Sequence, residues 1–171
     1  MDPESVARAI LLDALTGRAR SRKELRQQLS KKDVPDELAE RLLDRFTEVG
    51  LVDDGALARS WVESRQRSRG LARRALAQEL RRKGVDEETA RTALDDLDPC
   101  REEETARQLV RKRLRSLRDV DHATATRRLA GLLARKGYPA GLAFAVVREE
   151  LAGHGIDECG GSFGGADVVD A

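Results

Sequence analysis

At 171 residues, with 37% charged and only 3% aromatic side chains, the chain has room for one or two compact domains or a short repeat array. Its wealth of Leu, Ala, Arg and Glu favours helices, because these side chains lose little rotamer freedom there, while a formal net charge of +1 excludes a simple polycationic coat for nucleic acid. Two cysteines, Cys100 and Cys159, form neither a disulfide framework nor a metal-ligand pattern, no apolar run approaches the ~18 residues of a membrane span, and Met1-Asp2-Pro3-Glu4 is not a secretory signal, so a cytoplasmic protein without membrane contact is expected.

Apolar residues recur at helical spacing along nearly the whole chain, and strand alternation is absent. The first helix is expected from Pro3 to Thr16, after Asp2 as N-cap and before Gly17, with Val6, Ile10, Leu11, Ala14 and Leu15 as its stripe. Ser21-Arg22-Lys23-Glu24 fits a capping box and opens a second helix bearing Leu25 and Leu29. A third starts at Pro35 and carries Leu38, Leu42, Phe46 and Val49. Asp53 and Asp54 open a longer helix with Leu57, Ala58, Trp61 and Val62, which Gly70 breaks. Leu76 and Leu80 mark the next helix, ending at Gly84, and Asp86 begins another with Ala90, Ala93, Leu94 and Leu97. Pro99 begins a long basic helix with Ala106, Leu109, Val110, Leu114 and Leu117. Two more follow, one with Leu129, Leu132 and Leu133, the other with Leu142, Ala143, Val146, Val147 and Leu151, giving nine helices. Phe46, Phe144 and Trp61 are expected in the core, Trp61 because it follows Leu57 by one helical turn.

The helices form a repeat. Leu25, Leu29, Val34 and Ala39 match Leu76, Leu80, Val85 and Ala90 at an offset of 51, and a further shift of 53 gives Leu129, Leu133, Tyr138 and Ala143. The turn recurs too, as Lys32-Asp33-Val34, Lys83-Gly84-Val85 and Lys136-Gly137-Tyr138, with Gly suited to a left-handed C-cap and Asp a poorer substitute. Chance self-alignment of a Leu/Ala-rich chain would account for the apolar spacing but not for the agreeing turns. An all-α fold is therefore expected: three tandem three-helix bundles over residues 1–50, 51–98 and 99–152, stacked into an elongated, curved rod. Residues 153–171, with six glycines, four acids and no Lys or Arg, are expected to form a disordered tail.

Charge is sorted by helix. Arg18 to Lys32 holds seven basic residues against Glu24, and Asp33 to Asp54 holds eight acids against Arg41 and Arg45. Arg59 to Lys83 holds nine basic residues against Glu63 and Glu79, Asp86 to Glu104 nine acids against Arg91 and Arg101, and Arg107 to Arg118 six basic residues and no acid. Such blocks forgo the ~0.2–0.5 kcal/mol of each i,i+4 Glu–Lys pair. Two arrangements compensate: basic helices of successive bundles share one phosphate-attracting wall, or basic and acidic helices pair with each other. The first makes Arg65, Arg67, Arg69, Arg73 and Arg74, around Gly70, the densest candidate DNA- or filament-binding surface, extended by Arg81, Arg82 and Lys83. Arg22, Lys23, Arg111, Lys112 and Arg115 are further candidates. Arginine suits the role because its planar fork donates two hydrogen bonds to one phosphate.

Neither histidine, His122 nor His154, sits in a catalytic arrangement, and there is no HExxH, GxSxG or phosphate-cradling GK[ST] loop. Asp53-Asp54 fits an N-cap better than acid–base or metal chemistry. No enzyme, metal or cofactor is expected.

The run Leu51-Val52-Asp53-Asp54-Gly55-Ala56-Leu57-Ala58-Arg59-Ser60-Trp61-Val62-Glu63-Ser64-Arg65, continuing through Gly70, Arg73 and Glu79-Leu80-Arg81-Arg82-Lys83-Gly84-Val85, resembles the signature of the RecX family. So does Arg18 to Leu25, and the likeness spans Val6 to Leu151. Leu57 and Ala75 depart from the family's frequent Phe and Leu. The resemblance implies tandem three-helix bundles binding the groove of the RecA–DNA filament, with inhibition of RecA's ATPase, strand exchange and co-protease activities and modulation of recombination and the SOS response. Its implied partners are the RecA filament and, weakly and without sequence preference, single- and double-stranded DNA, bound as a monomer. A helical DNA-binding repressor and a protein-only helical scaffold are the alternatives. Specific, weak non-specific or absent binding to bare DNA separates the three.

Overall fold

A computed structural model describes residues 2–154, which form nine helices and no strand. The first unit comprises α1 (Pro3–Leu15), α2 (Arg22–Ser30) and α3 (Asp36–Glu48). The second comprises α4 (Asp54–Arg69), α5 (Arg73–Lys83) and α6 (Glu87–Asp95). The third comprises α7 (Pro99–Leu114), α8 (His122–Arg135) and α9 (Ala140–Gly153).

Helix starts follow from side chains that satisfy orphan N–H groups. Asp2, Asp53, Asp86, Asp98 and Asp121 each accept a backbone N–H of the first turn, and Pro3 and Pro99 occupy first-turn positions that need no donor. Ser21 and Glu24 close the reciprocal capping box. The capping bonds hold the carboxyls of Asp86 and Asp121 below the usual range, chiefly through the Thr89 hydroxyl and the Thr124 N–H respectively.

The repeat is present down to individual hydrogen bonds. Val34 donates to the Leu29 carbonyl at 3.2 Å, Val85 to Leu80 at 3.1 Å and Tyr138 to Leu133 at 3.1 Å. The residue before each donor has positive φ: Asp33 +55°, Gly84 +82° and Gly137 +92°. This is the same left-handed helix stop used three times.

Each unit has its own core. Leu25 and Leu29, Leu76 and Leu80, and Leu129 and Leu133 are all fully buried, with Ala39, Ala90 and Ala143 facing them from the third helix. Each such Leu supplies about 1.5–3 kcal/mol of burial. Two residues cross between cores: Val52 joins the first unit's cluster and Ala72 the third's.

The joints between units reuse the repeated turn. At the first, the Lys83 carbonyl accepts from the buried Ser21 hydroxyl, the Lys83 ammonium lies 3.6 Å from Glu24, and Gly84 is pressed against the Lys23 side chain. At the second, the Lys136 carbonyl accepts from Ala72 N–H at 2.8 Å and Gly137 abuts Ala75. A Cβ on Gly137 would lie 2.5 Å from the Ala75 nitrogen, and one on Gly84 would lie 2.5 Å from Lys23 Cδ. Asp33, its counterpart in the first unit, is exposed and lies at neither of these joints. Here the side chain is tolerated because it stands in solvent.

Several expected core positions turn outward. Phe144 is 52% exposed: it follows Ala143 by one residue and so lies about 100° around α9 from the buried Ala143–Val147–Leu151 face. Val6 is displaced in the same way from Ala7, and Val49 is the C-cap of α3, beyond its buried face. Gly153, expected at the start of the tail, is the last residue of α9. His154 caps that helix, and the rest of the expected tail, with Cys159, lies outside the described residues.

Candidate nucleic-acid interface

Where the second and third units meet, a cleft of about 760 Å³ opens between the end of α4 and one face of α7. Gln66, Arg67, Ser68, Arg69 and Gly70 form one wall. The other is a helical stripe, Arg101, Glu104, Thr105, Gln108, Leu109 and Lys112, whose spacing places every member on one side of α7. Lys136 reaches in from the α8–α9 turn and donates to the Arg69 carbonyl at 2.8 Å, satisfying a terminal carbonyl of α4. Gly70 closes the inner end, since a Cβ there would sit 3.1 Å from Leu109 and 3.2 Å from Thr105.

Five cationic side chains, Arg67, Arg69, Arg101, Lys112 and Lys136, thus face two carboxylates, Glu63 and Glu104. Glu63 is engaged by Arg67 in an exposed i,i+4 pair, and Glu104 lies 3.3 Å from the Gln108 amide. An exposed pair of this kind is worth at most about 1 kcal/mol, so a phosphate can displace it. Among the described residues no aromatic ring lines the cleft. Such a lining can attract an anion through its cations and amides and offers no ring for base stacking.

Of the residues expected from sequence, the structure brings Arg67, Arg69 and Lys112 together here. Others are held by carboxylates, mostly within their own unit. Arg22 lies 2.7 Å from both Glu40 and Asp44, which raise its pKa, Glu40 most. Arg65 lies 3.2 Å from Glu79. Arg73 pairs with Asp95 and donates to the Leu94 carbonyl. Arg111 donates to the buried Glu150 at 2.8 Å, which likewise raises its pKa. Lys83 is 14% exposed and consumed in the first joint, lying over the Trp61 ring. Arg74, Arg81, Arg82, Arg115 and Lys23 are exposed and have no ion pair among the described residues. Trp61 is half-buried rather than enclosed: its indole N–H donates to Glu79 at 2.8 Å, with the Arg65 guanidinium 4.2 Å from the ring centre. Two of the cleft's cations lie outside the set expected from sequence, Arg101 inside an acidic block and Lys136 inside a turn motif. Arg101's helical register with Lys112 was the available signal.

Three sequence models cover these units in turn: "RecX, first three-helix domain" matches residues 7–46, "RecX, second three-helix domain" residues 53–94, and "RecX, third three-helix domain" residues 101–147. The chain belongs to the RecX family. It is 55% identical to "Regulatory protein RecX" of Thermobifida fusca over 151 residues, covering 88% of this chain and 82% of the relative. It is 54% identical to that of Streptomyces coelicolor over 156 residues, covering 91% and 83%. Among solved structures, RecX from Lactobacillus salivarius superimposes with a TM-score of 0.81 over 87% of this chain and 97% of its own at 19% identity, which bears on the fold. A second, described as regulatory protein RecX, reaches 0.77 at 26% identity, over 87% and 73%. The RecX chain is thus a regulatory protein of helical repeats. No helix among the described residues is long and apolar enough to cross a membrane.

Proposed function

We propose that this RecX protein restrains a RecA recombinase on DNA. It lies along the groove of the RecA–DNA filament and inhibits ATPase turnover, strand exchange and co-protease activity, and so modulates recombination and the SOS response. The observation that carries this reading is the cationic cleft at the second joint, where Arg67, Arg69, Arg101, Lys112 and Lys136 converge. A cleft built from two different helices and a turn tracks a backbone. It does not resemble a single recognition helix entering a major groove, which disfavours the repressor reading.

Arg74, Arg81, Arg82 and Arg115, with Lys23 and the paired Arg22, Arg65, Arg73 and Arg111, make secondary contacts along the filament, while Lys83 acts in the joint. Three units in series engage several protomers at once, so weak individual contacts accumulate as avidity. The protein acts as a cytoplasmic monomer, without cofactor or chemistry of its own. Bare DNA, single- or double-stranded, binds weakly and without sequence preference.

The test is a DNA-stimulated RecA ATPase assay with the protein titrated in at substoichiometric amounts, alongside the Arg67→Glu/Lys112→Glu variant. Progressive loss of turnover with the wild type and little loss with the variant is expected. Undiminished turnover with the wild type, or equal inhibition by both, overturns the reading.

A further inference from the structure

Glu79 occupies an unusual place next to the cleft. It sits on α5, its side chain is only 21% exposed, and three side chains from α4 converge on its carboxylate: Trp61 Nε1 at 2.8 Å, Arg65 Nε at 3.2 Å and Arg69 Nη1 at 3.6 Å. The three contacts are graded. The indole bond is short and fixed. Arg65 is held both by the carboxylate and by the Trp61 face 4.2 Å away. Arg69 is beyond hydrogen-bond reach and 54% exposed, and it is the one of the three that also lines the cleft.

Resting on the cleft reading above, we propose that Glu79 is a built-in anion that competes with nucleic-acid phosphate for Arg69 and thereby sets the affinity and salt response of the cleft. A carboxylate and a phosphate oxygen are alternative acceptors for one guanidinium fork. At 3.6 Å Glu79 attracts Arg69 without locking it, so the side chain remains available but must be drawn from its internal partner. Arg65, doubly anchored, stays behind and keeps the carboxylate neutralised when Arg69 leaves. Glu79 is a positioning residue in this scheme, acting on the ligand only through Arg69.

The experiment measures binding of a fluorescein-labelled oligothymidylate against salt for the full chain, Glu79→Gln, Glu79→Asp and Arg67→Glu/Lys112→Glu. Glutamine retains an acceptor for the indole N–H but removes the charge. Freeing one arginine for phosphate steepens the log–log salt slope by about 0.7 for a single strand, equivalent to roughly five-fold over a tenfold salt range. Glu79→Gln is therefore expected to bind about five-fold tighter at the low-salt end and to converge with wild type at high salt, while Glu79→Asp keeps the wild-type slope. Emission of the chain's single tryptophan reports whether the Trp61 site is intact in each variant. If Arg67→Glu/Lys112→Glu loses binding while Glu79→Gln, with unchanged emission, matches wild type in slope and affinity, the role of Glu79 is overturned and the cleft stands. Weaker binding by Glu79→Gln overturns it as well. Absence of binding by every form overturns both.

Discussion

The Tyr138 hydroxyl donates to the Gly70 carbonyl at 2.9 Å, fully buried, and so ties the turn of the third unit to the bend that ends α4 in the second. Val34 and Val85 hold the equivalent places in the first two units and carry no such donor. Burial, with a smaller contribution from Glu102, pushes the phenol from 10.0 up to about 12. The folded protein therefore binds this proton more tightly than the unfolded chain. The stabilisation is constant below pH 10 and is lost as pH rises from 10 to about 12. Tyr138→Phe leaves the Gly70 carbonyl without its donor, at a cost of about 1–2 kcal/mol and a few degrees in thermal midpoint. It should also flatten the midpoint's decline between pH 10 and 12. Tyr138 is the only tyrosine, so its ultraviolet titration reads the shift directly. A wild-type phenol titrating near 10 would contradict this account.

The three turn residues predict a graded series. Gly137→Ala must place a side chain at φ +92° and within 2.5 Å of the Ala75 backbone, which cannot swing away. A loss of about 2–4 kcal/mol is expected, from left-handed backbone strain of ~1–2 kcal/mol plus the clash. Gly84→Ala meets the Lys23 side chain, whose Cγ and Cδ can rotate away although its Cβ at 2.6 Å cannot; with no neighbouring backbone atom among the three nearest, the loss should be somewhat smaller, about 1–3 kcal/mol. Asp33→Gly removes a side chain from an open site at φ +55° and should change stability by less than about 1 kcal/mol. Urea midpoints give the order. Equal costs for Gly137→Ala and Gly84→Ala would show that conformation alone, not the approach of the neighbouring unit, selects glycine.

This series marks how far the sequence alone reaches. The offsets of 51 and 53, the capping box at Ser21 and the N-cap aspartates are local signals, and each reappears in the fold because helix starts and stops are decided within a few residues. The exchange of Gly84 and Gly137 for Asp33 looks like a worn repeat in one dimension. It is explained only by which turns have a neighbour. Charge blocks behave similarly. Counting cannot tell Arg73, bound by Asp95 from α6, from Arg74 beside it, which has no ion pair among the described residues. The pairing depends on helix rotation, and a single step of that rotation turns Phe144 outward.

Ser21 offers a test of the first joint. Its hydroxyl accepts the Glu24 N–H at 3.1 Å as an N-cap and at the same time donates to the Lys83 carbonyl of the next unit. Ser21→Ala loses both bonds in a fully buried position, and a destabilisation of about 2–3 kcal/mol is expected. Ser21→Thr preserves both and should recover most of it. A loss below about 0.5 kcal/mol for alanine, read from denaturant midpoints, would mean that the joint contributes little to stability.

The cleft makes a quantitative claim about salt. Arg101 and Lys112 lie on one stripe of α7, both exposed and without an ion pair among the described residues, so reversing them should disturb the fold little. If both contact phosphate, Arg101→Glu/Lys112→Glu lowers the log–log slope for duplex DNA by about 1.8, and for a single strand by about 1.4. Arg81→Glu/Arg82→Glu changes net charge equally but acts at the end of α5, outside the cleft. Its effect on bare DNA should be less than half as large, because charges beyond about 10 Å are screened near 0.1 M salt. The comparison separates a site from a diffuse positive field: a field depends on the number of charges, a cleft on where they stand. Equal slope changes in the two variants would leave a cationic surface and no interface.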